Sequence, residues 1–316
     1  MIGERSVILD KLLVCPICQS ELLLGEMHEK GVVSCSRCKR AYTCRDGLFD
    51  FTPVPPPDAD VVEKWHLWQQ LQDNGLASYT ETPELSLSVG HREDAKAFSS
   101  FCQLSGLVLD VGCGPQDVPS YAVQDFPGQF VGIDPLRGVQ PRRFTFVQGI
   151  GEYLPFRGAT FDRVLFATSL DHMLVPTRAL AEARRVVKLD GTVNIWFGET
   201  GEAVQSQPEE TVRMRYLRMA QKGISLLRQG HLLAILRSLA FLTGLRKTPR
   251  ARLKARHKAC LARLKVPDGA VDHFHTSHMN WPALEEWLNE SGLLVEEIAK
   301  LSGTSSRFVR ARRAES

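Results

Sequence analysis

The chain has 316 residues, of which 43% are hydrophobic and 24% are charged, and its formal net charge is +3. This composition is typical of an ordinary soluble protein with enough apolar residues for a full core. No stretch reaches the roughly 18 uncharged residues that a membrane span requires, and the N-terminus lacks the apolar run of a signal peptide. We therefore expect a protein without a membrane span, located in the cytoplasm.

The first motif is a pair of Cys-x-x-Cys knuckles, Cys15 with Cys18 and Cys35 with Cys38, separated by sixteen residues. In a reducing compartment this spacing is more typical of metal binding than of disulfides, and four thiolates complete the tetrahedral shell of one zinc ion. Free thiols are the alternative. About 35 residues cannot bury a core of their own, so the metal is expected to be structural and to supply most of the local stability.

The stretch GVVSCSRCKRAYTCRDGLFDFTP extends from this motif and resembles the small zinc-binding activator protein of tRNA methyltransferases. That module also occurs fused ahead of bacterial methyltransferase domains. The resemblance covers residues 1–52, which we assign to a zinc-ribbon module. A proline-rich linker and an N-terminal helical segment follow over residues 53–90.

Apolar runs next alternate with helical patterns, which is typical of a parallel sheet with crossover helices. The sequence predicts a helix over 177–188, closed by Asp190 and Gly191. A terminal strand pair is predicted over 294–301 and 306–310. The predicted strands of the core are 107–111, 129–133, 144–147, 163–167 and 192–197.

A turn that reads LVLDVGCGPQD over residues 107–117 follows the first of these strands. Gly112 and Gly114 suit a close approach to a ligand, but the third glycine of a dinucleotide motif is replaced by Asp117, whose carboxylate would face a pyrophosphate. This argues against NAD or FAD. S-adenosylmethionine has no phosphate and carries positive charges, and Asp134, at the end of the second strand, is spaced to accept both ribose hydroxyls.

The segments VLDVGCGP, GIDP and EYLPFRGATFDRVLFATSLDHM resemble successive motifs of class I S-adenosylmethionine-dependent methyltransferases, particularly the quinone-biosynthesis C-methyltransferase group. The resemblance implies an α/β, Rossmann-like, seven-stranded and mostly parallel sheet, with the cofactor-binding core over residues 91–200. It also implies that Gly112 and Gly114 approach the methionine and ribose portions. The family usually has an acid where Ile150 stands, to receive the adenine amino group. The remaining cofactor residues expected from this resemblance are Asp110 for the amino group, Asp134 for the ribose, the backbone of Ile150 and Gly151 with Glu152 for adenine, and Ser169.

The fourth strand ends in FATSLDHM, at the edge that faces the transferred methyl group in this fold. His172 is the candidate general base near neutral pH, and Asp171 is the candidate group that orients it or the acceptor. The alternative is a pocket-lining histidine without a catalytic role, because methyl transfer often relies on proximity alone.

A second histidine group, His273, His275 and His278, precedes a helix that is predicted to begin near Asn280. The resemblance places this segment, within residues 273–316, beside the substrate opening, and we expect these histidines to line the substrate pocket. A metal site is the weaker alternative, because the spacing fits neither one strand face nor one helix face.

Residues 201–272 are predicted to form a helical insertion or lid. Positions 211–265 contain fifteen Lys and Arg and no Asp or Glu. We therefore expect this segment to bind an anionic partner. The apolar run HLLAILRSLAFLTGLRK inside this segment suits a membrane interface or a roof over the pocket. The alternatives are a solvated helical lid, an anionic membrane or lipid-linked substrate, and RNA.

The leading hypothesis is an S-adenosylmethionine-dependent methyltransferase with structural zinc, which acts on a small-molecule, glycan or lipid-linked acceptor. Peripheral contact with a membrane is one extension of this hypothesis. The alternatives are a tRNA or rRNA methyltransferase, and a non-catalytic S-adenosylmethionine-binding module.

Overall fold

The computed structural model describes residues 9–24, 31–54, 56–86, 93–122, 128–138, 142–199, 249–276 and 279–314. Within these ranges no helix is both long and apolar enough to cross a membrane. His278 and most of the basic segment, residues 211–248, lie outside the described residues.

Eleven strands form one continuous mixed sheet. They are β1 (Leu22–Leu23), β2 (Val32–Cys35), β3 (Ala41–Arg45), β4 (Leu48–Asp50), β5 (Gly106–Val111), β6 (Gly128–Asp134), β7 (Thr145–Gln148), β8 (Phe161–Ala167), β9 (Val187–Gly198), β10 (Leu293–Lys300) and β11 (Ser306–Arg313). Their order across the sheet is β1-β2-β3-β4-β7-β6-β5-β8-β9-β11-β10.

Besides the helical residues 9–12, six helices flank this sheet in the described part of the chain. They are α1 (Ala59–Glu81), α2 (Pro83–Ser86), α3 (Glu93–Cys102), α4 (Pro176–Val186), α5 (Pro249–Leu261) and α6 (Trp281–Glu290). A single 3-10 turn, Leu170–His172, follows β8.

The predicted α/β fold class is confirmed, but the predicted count of seven strands is not matched, and the sheet is mixed, with five parallel and five antiparallel pairings among its described strands. Strands β5 to β11 do number seven, but the four antiparallel strands of the N-terminal module extend the same sheet at the β7 edge. Asp50 on β4 pairs in parallel with Gln148 on β7. The module therefore continues the sheet instead of forming a separate body.

Two further contacts fasten the N-terminal module to the rest of the chain. The backbone N–H of Val14 donates to Pro155 at 2.9 Å, and the N–H of Arg157 donates to Leu12 at 2.9 Å. Phe51, which is fully buried, belongs to the same apolar cluster as Leu109 in the centre of the sheet. The module and the sheet thus share one core, and we expect them to unfold together.

The order of the central strands creates a crevice where the crossover direction reverses. Strand β5 lies between β6 and β8 and pairs in parallel with both. In open α/β sheets, ligands bind beyond the carboxyl ends of the strands at such a switch point. The predicted strands 107–111 and 129–133 lie within β5 and β6, so the turn at residues 112–114 stands at this place.

The predicted helix over 177–188 ends early, at Val186, and Val187 already begins β9. Asp190 and Gly191 lie inside that strand and do not close the helix. The sequence pattern predicted too long a helix because Val187 is apolar and lies four residues after Ala183, as on one helix face. Val187 is buried, but as a residue of strand β9.

Candidate functional site

The turn after β5 requires glycine at two positions. Gly112 and Gly114 have φ angles of +79° and +74°, and residues other than glycine rarely adopt such backbone angles. A Cβ atom on Gly112 would also lie 2.4 Å from the Cβ of Ser169. The absence of a side chain at Gly112 therefore lets the turn pass close to the end of β8.

Asp134, at the end of β6, holds this turn in place. Its Oδ2 accepts the backbone N–H of Gly114 at 2.8 Å, and its Oδ1 accepts the N–H of Leu136 at 2.8 Å. Burial raises the pKa of this carboxyl to about 6. Each carboxylate oxygen has a second lone pair, so Asp134 can still accept hydroxyl groups from a ligand.

A cavity with an empty volume of about 1030 Å³, part of which is open to solvent, lies beyond these strand ends. It extends from the glycine turn and Asp134 to the end of β8. The structure brings together in its wall eight of the residues predicted from the sequence, namely Gly112, Gly114, Asp134, Ile150, Gly151, Glu152, Ser169 and His172.

Two of these wall residues already have structural contacts. The Oε1 atom of Glu152 accepts the backbone N–H groups of Leu174 at 2.6 Å and Val175 at 3.2 Å. The hydroxyl of Ser169 donates to the carbonyl of Val111 at 2.6 Å. Both side chains therefore shape the cavity, and any contact with a ligand adds to these bonds.

Asp110, predicted to anchor an amino group, lies behind the cavity wall and is fully buried. Its carboxylate accepts a short hydrogen bond from the hydroxyl of Tyr121, which does line the cavity. Its Oδ1 has no hydrogen-bond partner within the described ranges. Burial raises the pKa of this carboxyl to about 7.

His172, the candidate base, lies in the 3-10 turn after β8. Its Nδ1 lies 3.2 Å from the backbone oxygen of Phe274, which can only accept, so the contact requires a proton on Nδ1 and leaves the lone pair on Nε2. Burial lowers the pKa of this imidazole. The indole N–H of Trp68 donates to the carbonyl of His172 at 3.1 Å and fixes the turn from the side of α1.

The second histidine segment contributes to the site differently from the prediction. Phe274 lines the cavity, whereas His273 and His275 are absent from its wall. His275 lies beside His172 instead, with their ring centroids 4.4 Å apart. His278 lies outside the described residues.

One face of helix α1 covers the cavity, a role that the sequence analysis missed. Trp68, Leu71, Gln72, Gly75 and Tyr79 line the wall at the three- and four-residue spacing of one helix face. Burial raises the pKa of Tyr79 to about 12, so its hydroxyl is a neutral donor at physiological pH. The spacing was visible in the sequence, but no pattern there indicated what the face covers.

Arg142 is a second functional residue that the sequence analysis missed. It is 4% exposed, and its guanidinium donates to the carbonyls of Gly114 and Gln116 in the glycine turn and of Leu136 and Arg137 after β6. It therefore ties the two loops that flank the cavity to each other.

The four predicted zinc ligands come together in the N-terminal module. The sulfur atoms of Cys15 and Cys38 lie 3.6 Å apart and those of Cys18 and Cys35 lie 3.4 Å apart. All four sulfurs lie within 4.8 Å of one another. A tetrahedron with Zn–S bonds of about 2.3 Å has edges of about 3.8 Å, so this donor set fits zinc closely.

The described end of the basic segment, residues 249–265, packs against α1, which covers the cavity, and against α2. Arg263 donates to the carboxylate of Glu81, and Arg256 lies 3.7 Å from the carboxylate of Glu84. Part of the positive charge of this segment is thus balanced within the chain.

Comparison with protein families identifies one domain. Residues 109–195 match the model of a methyltransferase domain. This range contains β6 to β8, the second half of β5 and most of β9, and it includes the glycine turn, Asp134 and His172. No curated protein matches the sequence significantly.

Several methyltransferases are among the solved structures to which the chain shows similarity. The 1,6-didemethyltoxoflavin-N1-methyltransferase of Burkholderia thailandensis, with bound 1,6-didemethyltoxoflavin and S-adenosylhomocysteine, is 14% identical, with a TM-score of 0.49 over 88% of this chain and 97% of that one. A SAM-dependent methyltransferase from Aquifex aeolicus is 13% identical, with a TM-score of 0.38, and the match covers 77% of this chain and 97% of that one.

Another similar structure is the complex of the Haloferax volcanii Trm112 methyltransferase activator with a protein proposed to be a methyltransferase. It is 12% identical, with a TM-score of 0.44 over 81% of this chain and 97% of that one. At such identities and TM-scores, these similarities are no basis for assigning a substrate or a partner. The match over residues 109–195 shows a methyltransferase domain in this part of the chain, in agreement with the predicted methyl-transfer activity.

Proposed function

We propose that the chain transfers the methyl group of S-adenosylmethionine to a small-molecule, glycan or lipid-linked acceptor bound in the cavity under helix α1. The observation that carries this proposal is the position of Asp134, whose buried carboxylate faces the same cavity as the Gly112–Gly114 turn. A carboxylate at the end of β6 suits ribose hydroxyls, and the glycine turn lines the cavity beside it, where the rest of the ligand would lie.

The charges around the cavity support a cationic cofactor without phosphate. Asp134 and Glu152 are buried in its wall, and Asp110 lies directly behind it. The guanidinium of Arg142 is committed to backbone carbonyls and does not line the cavity. A sulfonium and an ammonium gain from such surroundings, whereas a pyrophosphate would be repelled.

In this proposal the adenosine lies at the Asp134 end of the cavity. Asp134 accepts the ribose hydroxyls, and adenine contacts the backbone of Ile150 and Gly151 with Glu152 beside it. The Gly112–Gly114 turn contacts the methionine part. Asp110 acts through Tyr121, because Tyr121 lines the cavity and Asp110 does not.

The acceptor then occupies the end of the cavity near β8, where Tyr79, Trp196, His172 and Phe274 line the wall. The aromatic rings and the cover from α1 suit a compact organic group, such as a small molecule or the head of a larger carrier. The basic segment 211–265 is the proposed contact for an anionic carrier, including a membrane surface.

In the proposed reaction a lone pair of the acceptor atom attacks the methyl carbon in line with the carbon–sulfur bond. That bond breaks, its electron pair stays on sulfur, and S-adenosylhomocysteine leaves. The acceptor's proton passes to the Nε2 lone pair of His172, whose Nδ1–H is directed to Phe274. Asp171 is the proposed group that orients the acceptor. Alignment and proton removal are the contributions of these residues.

We also propose that Cys15, Cys18, Cys35 and Cys38 hold a structural zinc ion. Four sulfur ligands leave no open position for catalytic water, so the ion stabilises the module and takes no part in methyl transfer. Because β4 joins the sheet beside β7, this support reaches the strands that flank the cofactor end of the cavity.

The test is transfer of tritium from methyl-labelled S-adenosylmethionine into a cell extract separated into small-molecule, glycan, lipid, RNA and protein fractions. We expect label in a small-molecule, glycan or lipid fraction, and none with heat-treated protein. Label confined to RNA would replace this acceptor class with the RNA alternative. Cofactor binding without transfer to any fraction would favour the non-catalytic alternative.

A further inference from the structure

A cluster of three side chains of types that can bind a metal ion lies at the edge of the cavity, separate from the four cysteines of the N-terminal module. The cluster consists of Asp171, His172 and His275, and one ligand atom from each lies within 4.8 Å of the others. The sequence did not indicate it, because the two histidines come from segments about a hundred residues apart. They meet because residues 272–276 pack against the 3-10 turn after β8.

Both imidazoles are oriented by a partner on their Nδ1 atom. Nδ1 of His275 lies 2.8 and 2.9 Å from the carboxylate oxygens of Asp272, and Nδ1 of His172 lies 3.2 Å from the carbonyl of Phe274. Such acceptors hold the proton on Nδ1 and leave the lone pair on Nε2. This arrangement, with a carboxylate or carbonyl behind each imidazole, is typical of histidines that coordinate a metal through Nε2.

Asp171 supplies an acidic group with spare capacity. One of its oxygens, Oδ2, lies 3.6 Å from Nε2 of His275. The other, Oδ1, is buried and has no hydrogen-bond partner within the described residues. An unsatisfied buried carboxylate oxygen is costly, and a cation would remove that cost.

We propose that Asp171, His172 and His275 form a binding site for one divalent first-row transition ion such as Zn²⁺. Such ions bind to sets of two imidazole nitrogens and one carboxylate, and the remaining coordination positions of the ion then stay open to water or another ligand. Ligand atoms that share an ion at about 2.1 Å stand about 3.0 to 3.4 Å apart, and the 3.6 Å between Oδ2 of Asp171 and Nε2 of His275 is already close to this separation.

Ion binding and proton transfer exclude each other at His172, because one Nε2 lone pair serves both. When the ion is bound, His172 therefore cannot accept the proton of the acceptor. The proposed site itself does not rest on methyl transfer, and its test needs no substrate.

The experiment measures the number of zinc ions per full-length chain after equilibration with Zn²⁺ and removal of free ion. We expect the wild-type chain to hold one ion more than Asp171→Asn and His275→Gln. His273→Gln is the matched control, since His273 is outside the cluster, and it should equal the wild type. Equal counts in all four proteins would overturn the proposal.

A spectroscopic measurement covers the case in which a variant folds poorly. With the four cysteines loaded with zinc, Co²⁺ added to the wild-type chain should produce ligand-field absorption without thiolate charge-transfer bands. Asp272→Asn removes the carboxylate behind the His275 ring and keeps an amide oxygen for the backbone N–H groups of Phe274 and His275. It should weaken Co²⁺ affinity by about 10- to 100-fold. Absence of the ligand-field absorption in the wild type would overturn the proposal independently of any variant.

Discussion

Replacing Asp134 with asparagine should weaken cofactor binding strongly and leave the side-chain volume unchanged. The carboxylate already accepts two backbone N–H groups at 2.8 Å, and the proposed ribose hydroxyls add two further hydrogen bonds. A hydrogen bond to a charged group contributes about 1 to 1.5 kcal/mol more than a neutral one, so two of them amount to about 2 to 3 kcal/mol. The dissociation constant should rise about 30- to 150-fold.

The assay is calorimetric titration with S-adenosylhomocysteine of wild-type protein, Asp134→Asn and the control Asp117→Asn. Asp117 is an apt control because it lies in the same region, is half exposed and pairs with Arg143. It does not line the cavity. A thermal unfolding scan of each protein separates lost binding from lost folding. If Asp134→Asn and Asp117→Asn bind equally well, Asp134 does not hold the ribose.

The same carboxylate predicts a pH dependence. Burial raises the pKa of Asp134 to about 6, and hydroxyl groups bind its ionised form. The ionised fraction rises about tenfold between pH 5 and pH 7, so the wild-type affinity should rise by about that factor. Because the folded-state pKa lies above the unfolded value, this group's contribution to the unfolding free energy falls as pH rises through about 4 to 6. Asp134→Asn should lose both effects.

The remaining predictions concern the module, the loop contacts and the proposed base. Cys35→Ser should lower the thermal midpoint of the whole chain in one transition, whereas Cys44→Ala should keep the zinc; separate unfolding of residues 1–52 would contradict the shared core. Arg142→Met should cost about 2 to 4 kcal/mol of unfolding free energy by denaturant titration and weaken cofactor binding, and Arg143→Met should change neither. His172→Ala should reduce methyl transfer about 10²-fold or more with little change in cofactor affinity; a loss below threefold would leave it a lining residue.

Local sequence patterns predicted the strands and the turn that form the proposed cofactor site. Branched apolar residues at 107–111 and 129–133 predicted β5 and β6 to within about one residue, and the positive φ angles of Gly112 and Gly114 match the predicted tight turn. These features depend on neighbours in sequence. Single-sequence patterns are most informative for such local features.

The residues that escaped prediction act through contacts between distant segments. Arg142 binds backbone carbonyls, which have no sequence signature, and it lies in a loop without periodicity. His275 meets His172 only because two loops pack together. The junction of β4 with β7 depends on a single pairing, Asp50 with Gln148, so the shared sheet could not be predicted from either strand alone.

The most direct test of the proposed function is a crystal structure of the full chain with S-adenosylhomocysteine. We expect one molecule per chain in the cavity under α1, with its ribose hydroxyls within hydrogen-bond distance of Asp134. Its adenine should lie beside Ile150, and its sulfur should point to the end of β8 near His172. Binding of the ligand outside this cavity, or with the ribose away from Asp134, would contradict the account.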